Sequence, residues 1–308
     1  MPQGSSESEA AEHRPLAFAI AYRMLGSVAE AEDVVQEAFL RLHRARQGGV
    51  VVESPKAYLA ALATRIGIDH LRSARVRRER YFGTWLPEPV LGEGEPAMDQ
   101  KVERAESVSM AFMLVLEALS PVERAVFLLR EVFDYSYPEI AGIVQKSEEN
   151  CRQIFARARR HVDAGKRRFE PSPGKRAEIA DRFFAACHEG ELSGLVELLA
   201  ADAVFYGDGG GKAAAFPRPV AGADRVARLL AGIFSKLGAA GARVERAEVN
   251  GQPGAKFLDG RGRLVAVWSL DAADGRVQCI RSVVNPDKLR HLGPVSELLV
   301  LPLRTGRQ

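Results

Sequence analysis

The chain has 308 residues, 46% of them apolar and 27% charged. That is the composition of a soluble globular protein long enough for about two or three domains, each with its own core. The net charge of +3 excludes a uniformly basic or acidic protein, so charge must act through its distribution. Cys151, Cys187 and Cys279 are far apart and belong to no CxxC or His/Cys cluster, which argues against a disulfide framework, a metal site or a metal cofactor. No apolar run approaches membrane length, and the acidic, polar start Met1–Glu12 is unlike a signal peptide, so a reduced cytoplasm without membrane attachment is the expected compartment.

Residues 1–11 are expected to be disordered. Leu16, Ile20, Met24, Val34, Val35, Ala38, Phe39 and Leu42 recur at three- and four-residue spacing, which predicts two helices broken at Gly26-Ser27. Glu30, Glu32, Asp33 and Glu37 form an acidic run on the second. Ser54 can cap a third helix with Pro55 in its first turn. That helix carries Tyr58, Leu59, Leu62, Ile66 and Leu71 before it enters Arg72, Arg75, Arg77, Arg78 and Arg80. Tyr58, Tyr81, Phe82 and Trp85 beside this basic stretch are of the kind that stacks on unpaired bases, although Tyr58 also suits a core. A domain over 12–82 ends there. An acidic linker over 83–106 follows, and two prolines in Trp85-Leu86-Pro87-Glu88-Pro89 exclude regular helix in it.

A second helical domain is expected over 107–169. Ser120-Pro121-Val122-Glu123 is a strong helix start, with a capping serine, proline in the first turn and glutamate three residues on. A short helix from Pro138 to Val144, the turn Gln145-Lys146-Ser147 and a capped basic helix complete a helix-turn-helix. Cys151, Ile154, Phe155, Ala158 and Val162 would face its core, leaving Asn150, Arg152, Gln153 and Arg157 outward. Asn and Gln suit adenine edges and Arg152 suits guanine, whereas Arg157, Arg159 and Arg160 suit phosphates.

A hinge over 170–176 separates this block from a domain over 177–308. There helices (179–187, 192–199, 225–237) precede strands (204–206, 243–249, 254–258, 264–270, 276–284), a pattern that predicts an α+β fold with a curved antiparallel sheet. Asp208-Gly-Gly-Gly-Lys212 lacks the Ser/Thr and spacing of a P-loop, and its glycines fit close backbone approach better than a phosphate cradle. For a catalytic pocket the candidates are Asp202, Tyr206, Asp208, Lys212 and Arg281, but neither of the domain's two histidines, His188 and His291, lies among these motif residues.

Four stretches resemble the extracytoplasmic-function sigma factors of bacterial RNA polymerase. Glu30-Ala31-Glu32-Asp33-Val34-Val35-Gln36-Glu37-Ala38-Phe39-Leu40-Arg41 is similar to the family's polymerase-binding helix, and Asp69-His70-Leu71-Arg72 to the start of its −10 helix. Ala118-Leu119-Ser120-Pro121-Val122-Glu123-Arg124 and Ile140-Ala141-Gly142-Ile143-Val144 are similar to its −35-reading domain. Gln145 and Lys146 depart from the glycine and apolar residue common in that turn, and Ile154 from a common basic residue. Trp85-Leu86-Pro87-Glu88-Pro89, Asp208-Gly209-Gly210-Gly211-Lys212 and Asn285-Pro286-Asp287-Lys288-Leu289 resemble signatures of the SigJ-like subgroup, in which a SnoaL-like cone-shaped α+β domain follows two all-α sigma modules.

The resemblance implies a promoter-selecting subunit regulated by its own C-terminal domain. Its partners would be core RNA polymerase, −10 and −35 promoter DNA and a small ligand of unidentified chemistry in the C-terminal pocket. Asp33, Gln36, Glu37 and Arg41 would meet the polymerase, and Arg65, Asp69, Arg72 and Arg75 the opened −10 strand. Asn150, Arg152, Gln153 and Arg157 would meet the −35 element. Trp85, Pro87, Asp208, Gly210, Lys212, Asn285, Asp287 and Lys288 would form an interdomain contact. Two other classes remain open at this point. One is a regulator that binds a palindrome as a dimer without polymerase, and the other is an enzyme with a DNA-binding appendage.

Overall fold

The computed structural model describes residues 3–79, 81–92, 108–165, 172–190 and 192–299. The chain divides into two compact units. One comprises Met1–Glu79 with Met113–Lys166, the other Arg80–Phe112 with Arg167–Gln308. The two helical blocks thus share a unit, and the stretch between them belongs to the C-terminal one.

The first unit opens with α1 (Gln3–Leu25), α2 (Val28–Gln47) and α3 (Pro55–Glu79). Helix α1 starts at Gln3, so most of the expected disordered start is helical; its Ser, Glu and Ala residues tolerate helix in a way the acidic composition concealed. Gly26, at φ 67°, ends α1, and Ser27 caps α2 by accepting from the Glu30 amide at 3.2 Å. Ser54 accepts from the Ala57 amide at 3.3 Å, with Pro55 opening α3.

After α4 (Met110–Leu116) come α5 (Pro121–Glu131), α6 (Tyr137–Val144) and α7 (Glu148–Gly165). Helix α5 carries a complete capping box: Ser120 Oγ accepts from the Glu123 amide, and Glu123 accepts from the Ser120 amide at 3.0 Å. Val126, Leu129, Ile140, Ile143, Cys151 and Ile154 form the core that fixes α5, α6 and α7 together.

The second unit contains α8 (Pro173–Glu189), α9 (Leu192–Leu198), β1 (Leu199–Asp208), β2 (Val220–Ala221), α10 (Ala223–Ala239), β3 (Arg243–Val249), β4 (Gln252–Leu258), β5 (Leu264–Ala273) and β6 (Arg276–Val283). Strand order is β2-β1-β6-β5-β4-β3. The fold is α+β, but the sheet is mixed, which corrects the antiparallel expectation: β1 pairs with β6 in parallel. The chain leaves β1 through β2 and α10, then returns as the meander β3–β6. That long connection lets β6 settle beside β1 running in the same direction. Register shifts within the β1–β6, β4–β5 and β5–β6 pairs bend the strands.

One face of the sheet packs on the helices. Phe183, Leu195, Val226 and Leu230 meet Phe205, Phe257, Trp268 and Ile280 in one core. Phe234 and Phe257 stand 5.9 and 4.6 Å from Trp268 between ring centroids, so aromatic rings fill the interior of the cone.

Candidate functional site

The recognition helix of the helix-turn-helix is α7. Cys151, Ile154, Ala158 and Val162 are buried, and this leaves Asn150, Arg152, Gln153, Arg157, Arg159 and Arg160 exposed. Arg152 is preset by Glu148 at 3.1 Å and by the Tyr137 ring, 5.0 Å from its guanidinium carbon. Arg157 lies 3.8 Å from Glu123. Gln145, where the family often has glycine, ends α6 in the left-handed conformation at φ 55°.

On α2, Ala31, Val34, Val35, Ala38 and Leu42 turn inward, and Asp33, Gln36 and Arg41 are exposed. Glu37 and Arg41 pair at 2.7 Å one turn apart, beside the exposed Leu40. On α3, Asp69 pairs with Arg72 at 2.9 Å. Arg75 lies on the same helix, its side chain outside the described ones.

Arginines from both blocks meet helix ends of the other. Arg65 of α3 donates to the Ile143 and Gly142 carbonyls at 2.8 and 2.7 Å, satisfying the C-terminus of α6. Arg124 of α5, only 3% exposed, donates to the Met24 carbonyl at 2.6 Å and to Glu117 at 2.8 Å. Arg78 of α3 bonds the Leu25 carbonyl and the other oxygen of Glu117.

In the second unit the site is centred on Asp208, fully buried at the end of β1. One carboxylate oxygen accepts from the Tyr81 hydroxyl at 2.5 Å. The other accepts from the Leu86 amide at 2.8 Å and from Lys288 Nζ at 2.7 Å. Lys288 also donates to the Leu86 carbonyl, and its ammonium sits 4.8 Å from the Tyr81 ring centroid and 4.5 Å from that of Trp85. Asn285 donates to Tyr81 at 2.8 Å. Burial, and then the Asp208 carboxylate, hold the Tyr81 phenol protonated far above its ordinary range, so it remains a donor.

Gly210 is required here. Its φ is 56°, and a Cβ on it would stand 2.7 Å from the Tyr81 hydroxyl. Lys212 is exposed and pairs with Asp287, and Pro87 is buried.

Further along the linker, Asn250 in the β3–β4 turn exchanges both bonds with Val90, its amide donating at 2.8 Å and its Oδ1 accepting at 3.0 Å. Its Nδ2 donates to the Val108 carbonyl at 3.0 Å. Leu91 bridges Val249 antiparallel, and the Gly92 amide donates to the Glu248 carbonyl. Residues 90–92 therefore add to the free edge of β3 as a short strand. His291 bonds the Pro89 carbonyl at 2.8 Å.

Tyr81, read from sequence as a base-stacking ring, is committed to Asp208 instead. The roles of Asn250, His291, Glu117 and Arg124 carried no sequence signal. They depend on partners at least seven and up to about two hundred residues away. Of the residues considered for catalysis, Asp202 is exposed, and Arg281 is buried against Asp271 at 2.5 Å.

Residues 10–77 match the model of Sigma-70 region 2, residues 109–162 that of Sigma-70 region 4, and residues 180–284 that of the SnoaL-like domain. Over 302 residues the chain is 38% identical to the ECF RNA polymerase sigma factor SigJ of Mycobacterium tuberculosis, covering 94% of this chain and 95% of that one. The chain belongs to the ECF sigma factors.

This sigma factor is also 32% identical, over 281 residues, to the probable ECF sigma factor SigI of M. tuberculosis, covering 90% of this chain and 92% of the other. The crystal structure of M. tuberculosis SigJ superimposes with a TM-score of 0.72 at 35% identity, covering 95% of this chain and 100% of that one. As a sigma factor it directs RNA polymerase to promoters, and regions 2 and 4 bring core polymerase and promoter DNA binding with them. No helix among the described residues is long and apolar enough to cross a membrane.

Proposed function

We propose that this sigma factor is regulated from within, by the SnoaL-like domain holding the linker between its two DNA-binding modules. The observation that carries the reading is Asp208. A fully buried carboxylate has both oxygens engaged, by Tyr81 just before the linker, by the linker's Leu86 amide and by Lys288. A buried charge is tolerated only when paired and hydrogen-bonded, and here the linker supplies part of that satisfaction. Linker docking and domain integrity are therefore coupled, and the domain biases how the modules are spread.

In the open complex Asp33, Gln36, Glu37 and Arg41 meet the polymerase, and Arg65, Asp69, Arg72 and Arg75 line the −10 strand. Asn150, Arg152 and Gln153 read the −35 element, with Arg157 on its phosphates. Arg65 must leave the α6 carbonyls to do so. A small ligand would act by binding one linker arrangement more tightly than the other.

The test is transcription in vitro by holoenzyme reconstituted with the full chain. Asp208→Asn should change promoter output several-fold while capture of core polymerase stays at the wild-type level. Wild-type output from Asp208→Asn and from Asn285→Ala overturns the reading.

A further inference from the structure

A second feature of the C-terminal unit has no part in the linker contact at Asp208. Arg176, in the first turn of α8, is only 3% exposed. Among the described residues no carboxylate pairs with it, and its hydrogen bond is to Gln252 Oε1 at 3.1 Å. Gln252 is 1% exposed, and its Nε2 finds no acceptor among the described residues. Both residues line a cavity of about 340 Å³ between the start of α8 and the β3–β4 turn, with Pro173, Arg246 and Glu248 also on its wall.

Three terms in this corner favour negative charge. A buried guanidinium lacks a counter-charge, which is costly. A buried amide donor is unsatisfied. The first turn of α8 contains no acidic residue, so nothing offsets the positive end of the helix dipole, which Lys175 and Arg176 reinforce. Arg246 adds a cation, although it is already held by Asp181 at 3.0 Å and by the Ala180 carbonyl. Glu248, the one acid among the described residues of the wall, lies against Gly92, where a Cβ would stand 2.7 Å from its Oε1.

We propose that this corner is a binding site for a small oxyanion, a phosphate or a carboxylate, with the Arg176 guanidinium and Gln252 Nε2 as its donors. Arg176 would bind it bidentately, and Gln252 would orient its amide toward it. Gln252 opens β4 two residues after Asn250, which lies in the β3–β4 turn and holds Val90 and Val108. An occupant would therefore stiffen the turn that grips the linker. That second step rests on the regulatory reading above; the site itself does not.

The experiment is thermal unfolding and calorimetric titration of the full chain with inorganic phosphate and, separately, with succinate. Sodium chloride at matched ionic strength is the baseline. Wild type should bind one of the two saturably at one site per chain, and the arm that responds assigns the anion class. In Gln252→Glu a carboxylate stands where the anion would. This variant should lose at least tenfold in affinity, yet unfold without added anion at or above the wild-type temperature. Arg176→Met should also lose binding.

Two results overturn the site: no saturable response to either anion in wild type, or equal binding in Gln252→Glu. Hydrogen exchange at the Val90 and Gly92 amides separates the two steps. Saturable binding with unchanged exchange there overturns the coupling while the transcription test of Asp208→Asn stands on its own.

Discussion

Both carboxylate oxygens of Asp208 accept hydrogen bonds from protein donors. Replacing it by alanine would leave the Lys288 ammonium, 6% exposed, without its acid. Removing one partner of such a buried pair costs about 3–5 kcal/mol. Asp208→Ala should therefore lower the chemical-denaturation midpoint of the C-terminal unit and speed hydrogen exchange at the Leu86 amide; unchanged exchange would show that the amide is held by other groups.

The residues of this site were unequally legible. Asp208 and Gly210 stand in a glycine-rich motif, whereas Asn285 and Lys288 are marked only by the resemblance of 285–289 to a SigJ-like signature. Tyr81 carries no such mark, because a tyrosine after a basic helix reads equally well as a stacking ring. Its partner is 127 residues away. Asn250 looks like an ordinary turn residue at φ 52°, yet its side chain ties down Val90 in the linker and Val108 just beyond it.

Helix ends show how local chemistry sets the DNA-binding element. Glu123 and Glu139 accept from the side chains of Ser120 and Ser136, and those hydrogen bonds hold both carboxylates below their usual range. A depressed folded-state pKa contributes stability above the unfolded value of about 4.3, and that stability is lost as pH falls through the folded values. Helicity followed by circular dichroism should thus decline below about pH 4, and a Ser120→Ala, Ser136→Ala double variant should show a smaller acid-dependent loss from a lower starting stability. At the other end of α6, Gln145 occupies the left-handed region at a cost of about 1 kcal/mol. Gln145→Gly should raise the melting temperature, and a lowered one would mean that its side chain has a contact worth more than the strain.

The caps and the helical periods are local and could be read from the chain directly, as could the meander of β3 to β6. The parallel partnership of β1 with β6 could not. Leu199–Asp208 contains one compact strand pattern, and nothing within it specifies a neighbour reached only after β2 and α10.

At the scale of the whole molecule, each unit holds itself together by unlike means. The helical unit relies on arginines that finish helices of the opposite block, with Glu117 between Arg78 and Arg124. Hydrogen bonds to charged groups of this kind contribute about 1.5–3 kcal/mol each. Glu117→Ala should weaken that unit and, by loosening the grip of the blocks on one another, raise the rate of open-complex formation by reconstituted holoenzyme; a slower rate would show that the packed blocks are the promoter-competent form. The C-terminal unit relies on an aromatic plug, with Phe205, Phe234 and Phe257 around Trp268.

The three-residue ribbon on β3 carries one more implication. Peeling 90–92 from Val249 and Glu248 would bare unsatisfied amides and carbonyls along the rim of the sheet, and such a rim recruits any extended peptide nearby. Residues 90–92 therefore guard that rim: while they sit on β3 its amides and carbonyls stay satisfied, and the edge is closed to a foreign ribbon.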